Sequence, residues 1–140
     1  MRNILFLFFA CFPLMMCSQQ TESLKEKFED YFLIGATINQ EDYQLIDKDE
    51  KILEIVSEDF NSVTPENSMK WMHSHPEYSK FTFSNAQKIT DFAKDNNMYL
   101  LGHTLVWHNQ VPEYVSEIND KAKFNLHLKN HIFQMVTRFK

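Results

Sequence analysis

Glycine is nearly missing from this 140-residue sequence: Gly35 and Gly102 are the only two. A glycine-rich loop that cradles phosphates is therefore excluded. Cysteine is as scarce, and Cys11 and Cys17 both lie within the first 17 residues. The remainder has no internal disulfide, no thiolate metal ligand and no cysteine nucleophile. An excess of basic charge is also missing. Lys and Arg number 14 against 19 Asp and Glu, a formal net charge of −5, which argues against nucleic acid or an anionic membrane surface as partner. No apolar run approaches the roughly 20 residues of a bilayer-crossing helix. What is present is ordinary for a globular protein, with 44% hydrophobic and 24% charged residues. The length allows one domain at most.

The longest apolar run, residues 4–16, comes after Arg2 and precedes Cys17 and a polar stretch, residues 18–23. A positive start and a short apolar stretch are the layout of a secretory signal. The pattern resembles a bacterial lipoprotein signal, in which Cys17 becomes the lipidated first residue. Met16 stands where such signals usually carry a small residue. The alternative is plain secretion with cleavage nearby. Residues 1–17 are thus expected to be a signal peptide and residues 18–23 a tether. The expected location is secreted, periplasmic or, with the lipid anchor, the outer membrane of a bacterium.

Beyond the tether, strand and helix signals alternate. Leu24 and Phe28 are spaced for a short lead-in helix. Residues 31–38 are apolar on both faces, as expected of a parallel strand covered by helices. Asp47 and Glu50 have capping-box spacing ahead of the stripe Ile52, Leu53, Val56 and Phe60. A second strand, residues 60–64, is ended by Pro65, which pushes the preceding residue out of the helical region. Ser84 and Gln87 repeat the capping-box pattern before the stripe Ala86, Ile89, Phe92 and Ala93. Residues 98–107 make a third strand. Asn119 or Asp120 caps a last helix whose apolar residues are Ala122, Leu126, Ile132, Phe133 and Val136.

Repeated strand–helix units imply an α/β fold with a parallel sheet and right-handed crossovers. Two architectures use that repetition, the doubly wound sheet and the (β/α)8 barrel. No glycine-rich turn comes after the first strand, which counts against a dinucleotide fold. In a barrel, function sits at the C-terminal strand ends, where Glu66 and residues 103–110 fall. A whole barrel takes about 250 residues. Three units cannot close one, and the third strand is expected to expose an unpaired edge.

Two groups of residues carry chemistry. Glu66, Asn67 and Lys70 supply carboxylate, amide and ammonium after the second strand, a set suited to vicinal hydroxyls. The alternative is a helical surface ion pair between Glu66 and Lys70, four apart. On a strand, His103, Leu105 and Trp107 share one face, so His103 and Trp107 line one cavity, whereas His108 points elsewhere. The alternative is a core tryptophan and a satisfied buried histidine. A zinc site from His103 and His108 is disfavoured, because their spacing separates their faces and no acid lies nearby. His73 and His75 fall in a polar loop and are expected to be solvated. His127 and His131 are expected to lie on a helix surface.

Together these segments resemble glycoside hydrolase family ten, the endo-1,4-β-xylanases. The resemblance rests on Asp30-Tyr-Phe-Leu-Ile-Gly-Ala36, on Phe60-Asn-Ser-Val-Thr-Pro-Glu-Asn-Ser-Met-Lys-Trp71, and on Gly102-His-Thr-Leu-Val-Trp-His-Asn-Gln-Val-Pro112, with His131-Ile132 in the closing helix. It implies a (β/α)8 TIM barrel that hydrolyses xylan with retention of configuration, with residues 24–140 as its first three βα units. Carried over by position, Glu66, Asn67 and Lys70 bind the xylose second from the cleavage point on the non-reducing side. His103 and Trp107 hold the sugar at the cleavage point, Gln110 contributes to the sugar before it, and His108 supports the site. Tyr114 replaces a usual Trp, a change expected at the cleft edge. The resemblance implies xylan or xylo-oligosaccharides as partners, no cofactor or metal, and a monomer at full length. Retaining chemistry needs two carboxylates about 5–5.5 Å apart. In the family both come from the fourth strand onward, so both catalytic Glu residues are expected beyond residue 140. The chain alone is expected to be inactive, and a non-hydrolytic xylan-binding surface lipoprotein or an inactive fragment is the competing reading.

Overall fold

The computed structural model describes residues 22–39 and 50–140. The signal, the tether up to residue 21, and the capping box at Asp47 lie outside the described residues. The elements run α1 (Leu24–Lys27), β1 (Gly35–Ile38), α2 (Glu50–Asp59), β2 (Ser62–Pro65), α3 (Trp71–Ser74), α4 (Ser84–Asp95), β3 (Tyr99–Leu100), α5 (Glu113–Ser116) and α6 (Lys121–Phe139). The strands form one sheet in the order β1-β2-β3, all parallel, with Ala36 opposite Val63 and Val63 opposite Leu100.

Helices α2 and α4 press Val56, Ile89 and Ala93 onto Ile38 and Val63 of the sheet and onto Met98, making one core. Met69, Ala86 and Met135 form a second, with Phe83 and Phe139 against it, and Leu100 packs on both. Fully burying side chains such as Ile89 and Val63 contributes about 1.5–3 kcal/mol each. The lead-in helix α1 is tied to α2, Leu24 N–H donating to Asp59 and the Lys25 ammonium to the Ser57 carbonyl. The Ser23–Glu26 capping box closes its start.

The order of elements and the parallel sheet match the sequence reading, and several extents do not. Strand β1 is half the expected length. Tyr31 and Phe32 both donate their N–H groups to the Phe28 carbonyl, which keeps them in a helical turn and out of the ladder. Strand β3 stops at Leu100, and residues 101–107 are irregular. Leu101 N–H still donates to Val63, and the next donor in register would be the nitrogen of Pro65, which carries no hydrogen. The shared strand face of His103, Leu105 and Trp107 therefore does not exist. The expected cap at Ser84 is also displaced, since Phe83 is the N-cap and no side chain caps the helix.

The largest correction concerns α6. Its inward residues are His127, His131 and Met135, at i, i+4 and i+8. Ile52 of the α2 stripe is exposed, and of the expected α6 stripe Leu126 and Phe133 each keep 65% of their surface exposed. The helical period holds and the expected face does not, because imidazoles that find partners can turn inward as readily as apolar side chains.

Candidate functional site

The site is built on the segments beyond β2 and β3. After Pro65 the chain makes a turn, with Lys70 N–H donating to the Asn67 carbonyl at 2.9 Å. That turn places the two side chains together, and the Lys70 ammonium donates to Asn67 Oδ1 at 3.0 Å. The helical Glu66–Lys70 ion pair is absent. Glu66 is exposed directly after β2, with its backbone N–H on the Ile38 carbonyl.

The segment after β3 arrives from the other side. Trp107 puts its ring 4.8 Å from the Lys70 ammonium, and His108 stands edge-on to Trp107 at 5.4 Å. Gln110 donates to Asn67 Oδ1 at 3.4 Å, and its carbonyl accepts from Met72 N–H. Gln110 has φ 53°, a left-handed conformation that a non-glycine residue holds only where its surroundings fix it. Asn67, Lys70, Trp107 and Gln110 thus meet, with His108 attached through Trp107. His103 is exposed and makes no side-chain hydrogen bond to this group; the His103–Thr104 peptide is cis.

Under this group lies a layer that the sequence reading missed. Trp71, adjacent to Lys70, stacks on His131 at 4.2 Å with the rings parallel to within 1°. Trp71 Nε1 donates to the Tyr114 hydroxyl at 3.0 Å, and that hydroxyl donates to the His75 carbonyl at 3.3 Å. Tyr114 is half-buried, and its hydroxyl links Trp71 to the His75 backbone. His75 is fully buried against Phe81, at 3.8 Å, and not solvated. His73 is half-buried. His127 is buried too, with Tyr78 edge-on at 4.5 Å. His131 Nε2 bonds the Leu105 carbonyl at 2.9 Å. One signal could have found the layer: Trp71 and His75, like His127 and His131, are four apart and share a helix face.

Burial sets the electrostatics. Desolvation pushes the His131 imidazole down to about 4, with nearby His75 adding to it and the Leu105 bond opposing. Desolvation likewise lowers His75, and raises the Tyr114 phenol. His73 is lowered by burial and then by the Lys70 charge. Among the described residues no three His, Cys, Asp or Glu side chains converge as a metal site. The outer layer offers a largely buried ammonium, two half-buried amides and an exposed indole face; such a set grips hydroxyl groups and a ring.

The model of the family described as Glycosyl hydrolase family 10 matches residues 23–140. The chain belongs to glycosyl hydrolase family 10. A beta-1,4-xylanase of Dictyoglomus thermophilum is 41% identical over 118 residues, 84% of this chain and 32% of the relative. Endo-1,4-beta-xylanase A of Caldicellulosiruptor saccharolyticus is 38% identical, over 84% of this chain and 34% of its own. Solved structures superpose well on this chain. Xylanase 10B of Thermotoga petrophila, solved with xylobiose, has a TM-score of 0.79 at 40% identity, covering 86% of this chain and 37% of that one. A mutant structure with xylotriose has a TM-score of 0.72 at 42% identity, covering 84% and 35%. This family-10 chain thus spans about a third of the length of the curated relatives it matches. Its three strands and the helices around them are the N-terminal part of a (β/α)8 barrel.

Proposed function

We propose that these residues form the sugar-holding wall of a retaining endo-1,4-β-xylanase. The observation that carries this is the meeting of Asn67, Lys70, Trp107 and Gln110 at the C-terminal ends of β2 and β3 in a family-10 chain. Barrel enzymes place their chemistry at those ends. Glu66, Asn67 and Lys70 take the xylose second from the cleavage point on the non-reducing side. His103 and Trp107 take the sugar at the cleavage point, Gln110 the one before it, and His108 steadies Trp107. Glu66 binds and does not cut; both catalytic carboxylates fall beyond residue 140. The ligand class is xylan and its oligosaccharides, and the full-length protein acts as a monomer. Cys17 anchors the protein by lipid to a bacterial membrane, or the leader directs simple secretion; loss of fatty-acid labelling in Cys17→Ser distinguishes the two.

The test is saturable quenching of tryptophan emission by xylotriose and not by cellotriose, weakened about tenfold in Lys70→Ala, which is about 1.4 kcal/mol. No reducing sugar is released from xylan by the chain alone. Absence of xylotriose binding overturns the assignment, and sugar release by the purified chain overturns the binding role of Glu66. Because every residue placed here is a binder, a non-hydrolytic xylan-binding lipoprotein is the second reading. The gene beyond codon 140 separates them: a continuing frame with a fourth strand ending in Asn-Glu favours the enzyme, and a stop favours the binder.

A further inference from the structure

Residues 101–110 carry three of the six proposed sugar contacts, His103, Trp107 and Gln110, yet their backbone is lightly held. Leu101 N–H bonds Val63 at one end, and the Gln110 carbonyl accepts from Met72 at the other. Between them, among the described residues, one hydrogen bond ties the backbone down: the Leu105 carbonyl to His131 Nε2, at 2.9 Å. The side-chain anchors sit toward its far end, where Trp107 lies on Lys70 and Gln110 donates to Asn67, while Leu105 and Val106 are exposed. The other end of that bond is rigid. His131 is fully buried in the middle of α6 and lies flat on Trp71, which neighbours Lys70.

We infer that His131 is a positioning residue: its imidazole, clamped on Trp71, holds the Leu105 carbonyl and so presents Trp107 to Lys70. A carbonyl only accepts, so Nε2 must carry the hydrogen and Nδ1 the lone pair. Nδ1 is buried with no hydrogen-bond partner among the described residues, so only one tautomer fits. Trp71 of α3 and His75 just after it face the ring, and no carboxylate contributes to its titration. With burial holding it down to about 4, the ring stays neutral at ordinary pH and the tether holds. The inference rests on the loop being a sugar wall only for its ligand consequence, not for its structural one.

The test uses the 140-residue chain at low micromolar concentration with 5-fluorotryptophan at its two tryptophans, the Trp107 signal assigned by Trp107→Phe. His131→Phe keeps a ring on Trp71 and removes the donor. His131→Gln removes the ring and keeps an N–H of similar reach. In His131→Phe the Trp107 fluorine signal is expected to move toward that of solvent-exposed fluorotryptophan, with far-ultraviolet circular dichroism unchanged and xylotriose affinity about tenfold lower. In His131→Gln the Trp107 signal and affinity stay near those of the parent, affinity within about threefold. A folded His131→Phe with an unmoved Trp107 signal overturns the inference, as does equal displacement in both variants. If His131→Phe does not fold, His131→Gln decides alone: a retained Trp107 signal supports the tether, and a lost one overturns it. A parent chain that binds no xylotriose while the Trp107 signal still moves in His131→Phe sinks the sugar reading and leaves the positioning role standing.

Discussion

A lysine with only 8% of its surface exposed needs partners for its charge, and Lys70 has two, the Asn67 side-chain oxygen Oδ1 and the face of Trp107. The buried imidazoles of His75 and His131 meet the opposite demand, because burial disfavours their charged form. The folded His131 sits near 4 against an ordinary value near 6.5, so the unfolded chain binds its proton more readily. Stability from this residue is present above pH 6.5 and drains as pH falls toward 4, where the effect levels off. At about 1.4 kcal/mol per unit the loss approaches about 3 kcal/mol. His75, lowered by the same desolvation, acts in the same direction. The near-ultraviolet dichroism of Trp71 on His131 should therefore decline between pH 6.5 and 4, and the decline should shrink in His131→Phe; a flat signal in the parent chain would refute it. The sequence showed which polar residues crowd the strand ends. The four-residue spacing of Trp71 with His75 and of His127 with His131 hinted at this layer, but spacing does not say whether such a face meets water or a tryptophan.

At the scale of elements, the alternation of strands and helices was legible, since apolar runs and 3.6-residue stripes differ in period. Lengths were not. The run after β3 stays apolar well past the point where Pro65 ends the ladder, so composition alone extends the strand into the loop that carries His103 and Trp107. In α6, too, the period was visible and the choice of face was lost to His127 and His131. The helix start was legible, because Asp120 is the N-cap and its carboxylate accepts from Lys123 N–H at 2.7 Å. Removing such a cap costs about 1 kcal/mol. Asp120→Ala should speed hydrogen exchange at the Lys123 and Phe124 amides about fivefold and leave amides near His131, deeper in the helix, unchanged. Uniform acceleration along α6 would mean that the cap supports docking of the helix and not its first turn.

For the whole molecule, the decisive fact is how much apolar surface has no cover. Among the described residues, strands β1 and β3 are each paired on one side only. Tyr31, Phe32 and Leu33 stand exposed before β1, Leu101 and Val106 after β3, and Leu126, Phe133 and Val136 along the outer side of α6. In a closed barrel each strand is paired on both sides and the helices form a continuous ring. Here the cores on the two sides of Leu100 hold the βα units together, while the outer side of α6 offers a stripe of large side chains to water. Soluble monomers rarely expose contiguous patches beyond a few hundred Å², so the stripe should drive association by the same force that packs Ile89 inside. The purified 140-residue chain should bind an apolar dye and sediment as more than a monomer at tens of micromolar. Phe133→Glu combined with Leu126→Lys should reduce both effects while leaving the Trp107–Lys70 contact intact, because neither side chain touches the segment that carries Trp107. A monodisperse, dye-free monomer at that concentration would mean that α6 covers this surface in solution by an arrangement other than the one described.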